Sequence, residues 1–280
     1  MKTDPLYLVE YKEVWHVSAQ KRELPTHIRS HLNLPPNDEG IDLIAMSHSG
    51  EYTSIQAKYR TNPKASLTRN DLTSFTDLSF LACNNISWGI VRTNTIKPVR
   101  KNHLLPPQLR FEYLDSTLAL DDDGFLGWKR IHKYIDGEQW VPSERKTPHP
   151  YQQEAIDNAI SHFHGNSASR GRLVMPCGTG KSLIGYWIAE KLSARKILIA
   201  VPSLSLINQT LEVWANQSIA SNTNFNFMAI CGDDSAGEIE LDSFTISSRD
   251  IRIPCRTNLE QIVQAFIGQK NKNIVVLTTY

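Results

Sequence analysis

The sequence predicts an α/β fold in two successive units, the first built around an antiparallel hairpin and the second around a parallel sheet. Three stretches predict it. Two stretches, Gly40 to Met46 and Tyr52 to Tyr59, flank the loop Ser47-His48-Ser49-Gly50-Glu51 and read as a β-hairpin. The stretch Met175-Pro176-Cys177-Gly178-Thr179-Gly180-Lys181-Ser182 stands between the apolar run Leu173-Val174 and the amphipathic segment Leu183 to Ala189, which is strand, glycine loop and helix in succession. Between the two, Val141 to Pro150 holds three prolines among charged residues, a linker composition.

A chain of 280 residues exceeds one typical domain and has room for two cores. With 30 Lys+Arg against 29 Asp+Glu the net charge is +1, so any grip on nucleic acid must come from local basic patches rather than a global field. Cys83, Cys177, Cys231 and Cys255 are scattered without a C-x-x-C pair, which argues against a zinc module or a disulfide framework and for a reducing cytoplasm. No run approaches the roughly 20 apolar residues of a membrane span, so no membrane association is expected.

In chain order, Leu6 to Ala19 spaces Leu6, Val9, Val14 and Val17 with Tyr7, Tyr11 and Trp15 as a helix packed on a core, and it carries Glu10 and Glu13. The Pro/Asn/Asp/Gly cluster Leu34 to Gly40 ends that element and launches the hairpin. Leu72, Phe75, Leu78 and Leu81 then recur at helical spacing, a crossover helix, and Ser87 to Thr93 reads as the strand it feeds. From Asp115 to Pro150 regularity is lost. Asp121-Asp122-Asp123-Gly124 lacks the alternating ligand spacing of a calcium loop and reads as an acidic turn. Pro150 opens a helix at the position that tolerates proline best, and His162 and His164 at its end point to different faces. After Lys196, Ile197 to Val201 is a fully apolar strand leading into a helix capped by Ser203. Phe227 to Asp234 reads as a strand with its exit turn, Asn258 to Ile267 as a helix and Ile274 to Tyr280 as a buried strand, with Trp187 and Trp214 as core residues.

The chemistry lies in the two signalled stretches. In the glycine loop, Gly178 and Gly180 let the backbone N–H groups of Gly178, Thr179 and Gly180 turn inward around phosphate oxygens. Lys181 brings a point charge to the outer phosphates, and the Ser182 hydroxyl is placed to ligate Mg²⁺. That is a site for a nucleoside triphosphate, although Met175 stands where the general pattern G-x-x-x-x-G-K-S/T has its first glycine. In the hairpin, pairing Met46 with Tyr52 brings Asp42 opposite Gln56, and the two-residue period puts Lys58 on the same face. Asp42 and the Gln56 amide oxygen, with the Ala57 carbonyl, suit Mg²⁺ against a phosphodiester, while Lys58 stabilises charge or positions an attacking water. Singly, these are ordinary strand residues; their convergence makes the site.

Asp42 followed by Gln56-Ala57-Lys58, with the phrase Gly40-Ile41-Asp42-Leu43-Ile44-Ala45, resembles the Mrr-like branch of the PD-(D/E)-x-K nucleases. There Gln replaces the first residue of the (D/E)-x-K pair, so one negative ligand is missing and Glu10 or Glu13 is the candidate to replace it. Met175 to Ser182 resembles the first motif of superfamily 2 helicases and translocases. Tyr151-Gln152 matches the upstream pair that reads adenine there, Val201 to Gln209 resembles their motif Ia, and Val275 to Tyr280 a later strand-end motif. The combined order is similar to the N-terminal part of single-polypeptide Type I (Type ISP) restriction-modification enzymes. That resemblance implies a restriction-endonuclease-like αβββαβ domain over 1–118, a linker over 119–147, and an incomplete RecA-like lobe over 148–280 that stops before its Walker B acid. It further implies a DNA endonuclease with an ATP-dependent translocase motor, using ATP and Mg²⁺ on double-stranded DNA, with oligomeric state left open and no ATPase activity in residues 1–280 by themselves. Two other readings share these motifs: a helicase or remodeller whose nuclease-like domain only binds DNA or protein, and a small-molecule kinase or other P-loop enzyme. Gln152 and the Ia-like stretch argue against the last.

Overall fold

The computed structural model describes residues 3–18, 24–36, 40–96, 104–113, 126–138, 144–165, 168–223, 225–231, 248, 251–268 and 273–280. The first sheet has the order β1-β2-β3-β4-β5, with β1 Tyr11–His16, β2 Leu43–Ser47, β3 Tyr52–Lys58, β4 Ile86–Thr93 and β5 Leu109–Tyr113. The first three strands run antiparallel, and β4 and β5 join parallel. The hairpin pairs Met46 with Tyr52 as the sequence predicts, and Gly50, at φ 91°, makes the turn in a conformation that favours glycine.

The N-terminal segment corrects its prediction. Its helix, α1, covers only Pro5–Glu10, with the Asp4 carboxylate accepting from the Leu6 N–H at 3.0 Å, and from Tyr11 the chain is extended. Tyr11, Val14, Trp15 and Val17 are β-branched or aromatic, and pairing along β2 outweighs their weak helical spacing. This conversion supplies the third antiparallel strand of the αβββαβ order. A short α2, Thr26–His31, and α3, Arg69–Asp77, cover one face of the sheet. After α3 a π-helical turn, Leu78–Ala82, rotates the stripe, so Leu72 and Phe75 are fully buried but Leu81 is 79% exposed. Helix α4, Leu126–Ile135, forms within the stretch read as linker, and Asp121 to Gly124 lie outside the described residues.

The second sheet is parallel with order β6-β9-β7-β8: β6 Lys196–Val201, β7 Phe225–Ile230, β8 Cys255–Arg256 and β9 Asn273–Thr279. Around it lie α5 Pro150–Ile160, α6 Lys181–Lys191, α7 Leu204–Ala220 and α8 Leu259–Gly268. Ile156, Ile184, Tyr186, Trp187, Leu211, Trp214 and Leu277 form its core. Ser203 caps α7 by accepting from the Leu206 N–H. Two predictions fail here. Leu173 and Val174 form no strand, since no described strand runs beside them to complete a ladder, and both are exposed. Strand β6 is open on one face, with Leu198 70% exposed. The scattered cysteines also mislead, because β7–β8 pairing brings Cys231 and Cys255 together in a disulfide.

The two units share α1. Leu6 belongs to the core of the second unit, with Val9 packed against it, whereas Tyr7 lies on the first sheet with Tyr11, Ala45, Ile55 and Ile90. Residues 145 and 146 are tied to the second unit, Arg145 to Glu190 and the Lys146 peptide to both ends of the buried Gln217 amide.

Candidate functional site

On the first sheet the two-residue period places Asp42, just before β2, on one face with Gln56 and Lys58 of β3. The Asp42 N–H donates to the Ile55 carbonyl at 2.9 Å and its Oδ2 accepts from the Ala57 N–H at 2.7 Å, so the carboxylate is bound to the backbone of the segment it was predicted to face. Gln56 is 6% exposed. Its Nε2 donates to the Gly40 carbonyl at 2.6 Å, while its Oε1 is buried with no hydrogen-bond partner. A carbonyl can only accept, which identifies the bonded end of the amide as Nε2 and leaves Oε1 as the unpaired end. Gly40 has φ 131°, a backbone conformation that favours glycine, while a Cβ there would make only ordinary contact with Gln56 Nε2 at 3.4 Å. An unpaired amide oxygen beside a carboxylate with one oxygen still available is a donor set that fits a hard divalent cation.

A second carboxylate is not supplied by the acids the sequence points to. Glu10 lies on the opposite face, ion-paired with Arg110 at 3.2 Å, and burial holds its carboxyl above the usual carboxylate range against the pull of Arg110. Glu13 pairs with Met46, four residues along β2 from Asp42, which is about 13 Å at the rise of a strand. Of the basic residues beyond Lys58, Arg60 is engaged by Asp71, whose carboxyl that contact lowers to about 2. Lys64 and Arg69 are exposed.

In the glycine loop, Gly178 and Gly180 have φ 78° and 76°, and Gly180 is the N-cap of α6. Lys181 Nζ donates to the carbonyls of Met175 and Pro176 at 3.2 and 3.3 Å, and Thr179 Oγ1 to Pro176 O at 2.8 Å. The Ser182 hydroxyl is buried without a partner, as a cation ligand would be, while its carbonyl accepts from the indole of Trp214 at 3.0 Å. Gln152 is 4% exposed; its Nε2 donates to Thr179 O at 2.8 Å and its Oε1 accepts from the His149 N–H at 2.9 Å. Both ends of the amide expected to meet adenine thus join the start of α5 to the loop, a link the sequence does not signal. Tyr151, about half exposed and stacked on His149 with ring centroids 5.8 Å apart, presents the free aromatic surface beside it.

Comparison with known proteins places the chain in a class. Residues 2–100 match a restriction endonuclease family and residues 145–280 match the family of the Type III restriction enzyme res subunit. The chain therefore carries a restriction endonuclease domain followed by a helicase domain. Its relatives include the helicase/translocase XPB subunit of the TFIIH basal transcription factor complex of Trypanosoma brucei brucei, 25% identical over 65% of this chain and 19% of that protein. The DNA 3'-5' helicase XPB of Kineococcus radiotolerans is 33% identical over 29% of this chain and 14% of that protein. A solved structure, the ATP-dependent Type ISP restriction-modification enzyme LlaBIII bound to DNA, shares the fold over 100% of this chain and 17% of its own, with TM-score 0.73 and 24% identity. The chain thus spans less than a quarter of the length of each. Among the described residues no helix is long and apolar enough to cross a membrane.

Proposed function

We propose that the chain is the nuclease and motor part of an ATP-driven restriction enzyme acting on double-stranded DNA in the cytoplasm, with the nuclease in residues 1–118, a connecting segment over 119–147 that includes α4, and the motor from 148 to 280. The observation that carries the nuclease half is the buried, unpartnered Gln56 Oε1 beside Asp42. Mg²⁺ held by Asp42 and Gln56 would polarise the phosphoryl oxygen and lower the pKa of the attacking water. Lys58, on the same face, supplies positive charge to the phosphate as negative charge builds in the transition state and orients the water. Gly40 keeps the Gln56 amide from rotating away.

In the motor half, ATP is the ligand that the loop suits best. Lys181 exchanges the carbonyls of Met175 and Pro176 for the outer phosphates, the N–H groups from Gly178 to Gly180 meet phosphate oxygens, and Ser182 offers its unpaired hydroxyl to Mg²⁺. Tyr151 packs on the base, with Gln152 holding the loop and free to meet the base edge only when it lets go of Thr179.

The test uses the full protein with duplex DNA, ATP and Mg²⁺. Asp42→Ala and Lys58→Ala lose cleavage and keep DNA-stimulated ATP hydrolysis; Lys181→Ala loses hydrolysis and ATP-dependent cleavage together. Wild-type protein that hydrolyses ATP on DNA but cleaves no better than Asp42→Ala would reduce the first domain to a binding module. Efficient ATP-dependent cleavage by Lys181→Ala would refute the motor assignment.

A further inference from the structure

Two arginines of the motor reach into the nuclease. Both come from the segment Ile251 to Arg256, in which Ile251 and Ile253, each 1% exposed, are buried in the motor core. The Arg252 N–H donates to Asn208 Oδ1 of α7 at 3.2 Å, and β8, which ends in Arg256, pairs with β7. The base of each arginine is therefore fixed in the motor. Their guanidinium groups end on the other unit: Arg252 on the Asp4 carboxylate and 5.7 Å from the centroid of the Tyr7 ring, Arg256 on both oxygens of Glu51 at 2.7 and 2.5 Å and 5.4 Å over the Trp88 ring.

The position of Glu51 gives these contacts meaning. It closes the turn of the catalytic hairpin, its carbonyl accepting the Ser47 N–H at 2.9 Å, and it directly precedes β3, which carries Gln56 and Lys58. Trp88 lies beside β3, paired with Thr53. Arg256 is 6% exposed, so its charge is largely removed from water and depends on Glu51 and the indole face. One guanidinium nitrogen, Nη2, reaches both Glu51 oxygens, and this charge-assisted contact ties the hairpin to a motor strand.

We infer that Arg256 is a positioning residue for DNA cleavage: through Glu51 it sets the catalytic hairpin on the motor, so that cleavage depends on a contact that ATP hydrolysis does not use. Arg252 and Asp4 do the same for α1. The inference rests on the nuclease reading above, and its test has a readout that does not.

In the full protein, Arg256→Glu and Glu51→Arg each lower DNA cleavage at least about tenfold with DNA-stimulated ATPase retained, and the double variant, which restores an opposite-charge pair, recovers most of the loss. Glu51→Gln, a milder change at a part-exposed carboxylate, moves cleavage in the same direction should Arg256→Glu fold poorly. Hydrogen exchange of the amides of residues 43–58 provides the second readout: faster in the single variants, restored in the double. Restored exchange protection in a protein whose wild type never cleaves would overturn the nuclease reading and leave the contact standing. Wild-type cleavage and exchange in Arg256→Glu, or a double variant no better than its parents, would overturn the inference.

Discussion

Replacing Leu6 by Ala tests whether the nuclease helix is structurally part of the motor. Leu6 is 2% exposed and belongs to the motor core, with α1 packed along α7. Deleting a buried leucine side chain removes its transfer free energy and leaves a cavity, together about 2–5 kcal/mol. A unit the size of residues 145–280 shifts its melting temperature by about 2–4 °C per kcal/mol, so the motor transition should fall by roughly 4–20 °C. Trp187 and Trp214 are buried in the same core and report that transition by fluorescence during thermal unfolding. Leu6→Met, which conserves volume, should cost less than about 1.5 kcal/mol. A motor transition that stays put in Leu6→Ala, while only the nuclease softens, would refute the shared core.

Two further changes follow from the sites. Gln56→Glu adds the charge that related nucleases carry at this position, yet here it loses cleavage, by at least about tenfold, because a carboxylate cannot donate to the Gly40 carbonyl and an oxygen would face an oxygen there; activity at lower Mg²⁺ than wild type would contradict this. The second concerns Glu112, buried with neither oxygen hydrogen-bonded and the Arg92 Nε at 3.4 Å, whose carboxyl is pushed up to about 7 by burial. Its folded pKa exceeds the unfolded one, so the folded state binds the extra proton, and stability falls as pH rises from about 4.5 to about 7, by about 3 kcal/mol at most. Urea unfolding at pH 5 and pH 8 should show Glu112→Gln losing less stability between the two than wild type, and equal losses would place the carboxylate in a better-solvated state.

What the sequence discloses depends on how local the cause is. The register of the hairpin follows from alternation and a loop with Gly50, and it sets Asp42 opposite Gln56; the hydrogen bond from the Ala57 N–H to Asp42 is added by the structure, and the helix beginning at Lys181 follows from Gly178 to Ser182. Features set by distant partners are not legible. Tyr11 to His16 become a strand only because β2 lies beside them, and Leu173-Val174 stay out of a sheet although their composition suits one. Cys231 and Cys255 meet through pairing of β7 with β8, 24 residues apart in sequence. In the site, the tie of Gln152 to Thr179 and the distance of Glu10 and Glu13 from Asp42 needed the assembled fold, since side-chain type alone says nothing of which face a residue occupies.

The shared helix also sets an order of events during synthesis. Leu6 and Val9 leave the ribosome about 200 residues before Leu204 to Ala220, the helix α1 packs along, which at about 5–20 residues per second is a delay of roughly 10–40 s. Through that interval Tyr7 can settle on the nascent hairpin while the leucine on its neighbouring position stays in water. The nuclease sheet therefore folds first with an apolar flank uncovered, and completion of the motor seals it. A chain that stalls between the two is the species on which a chaperone would act.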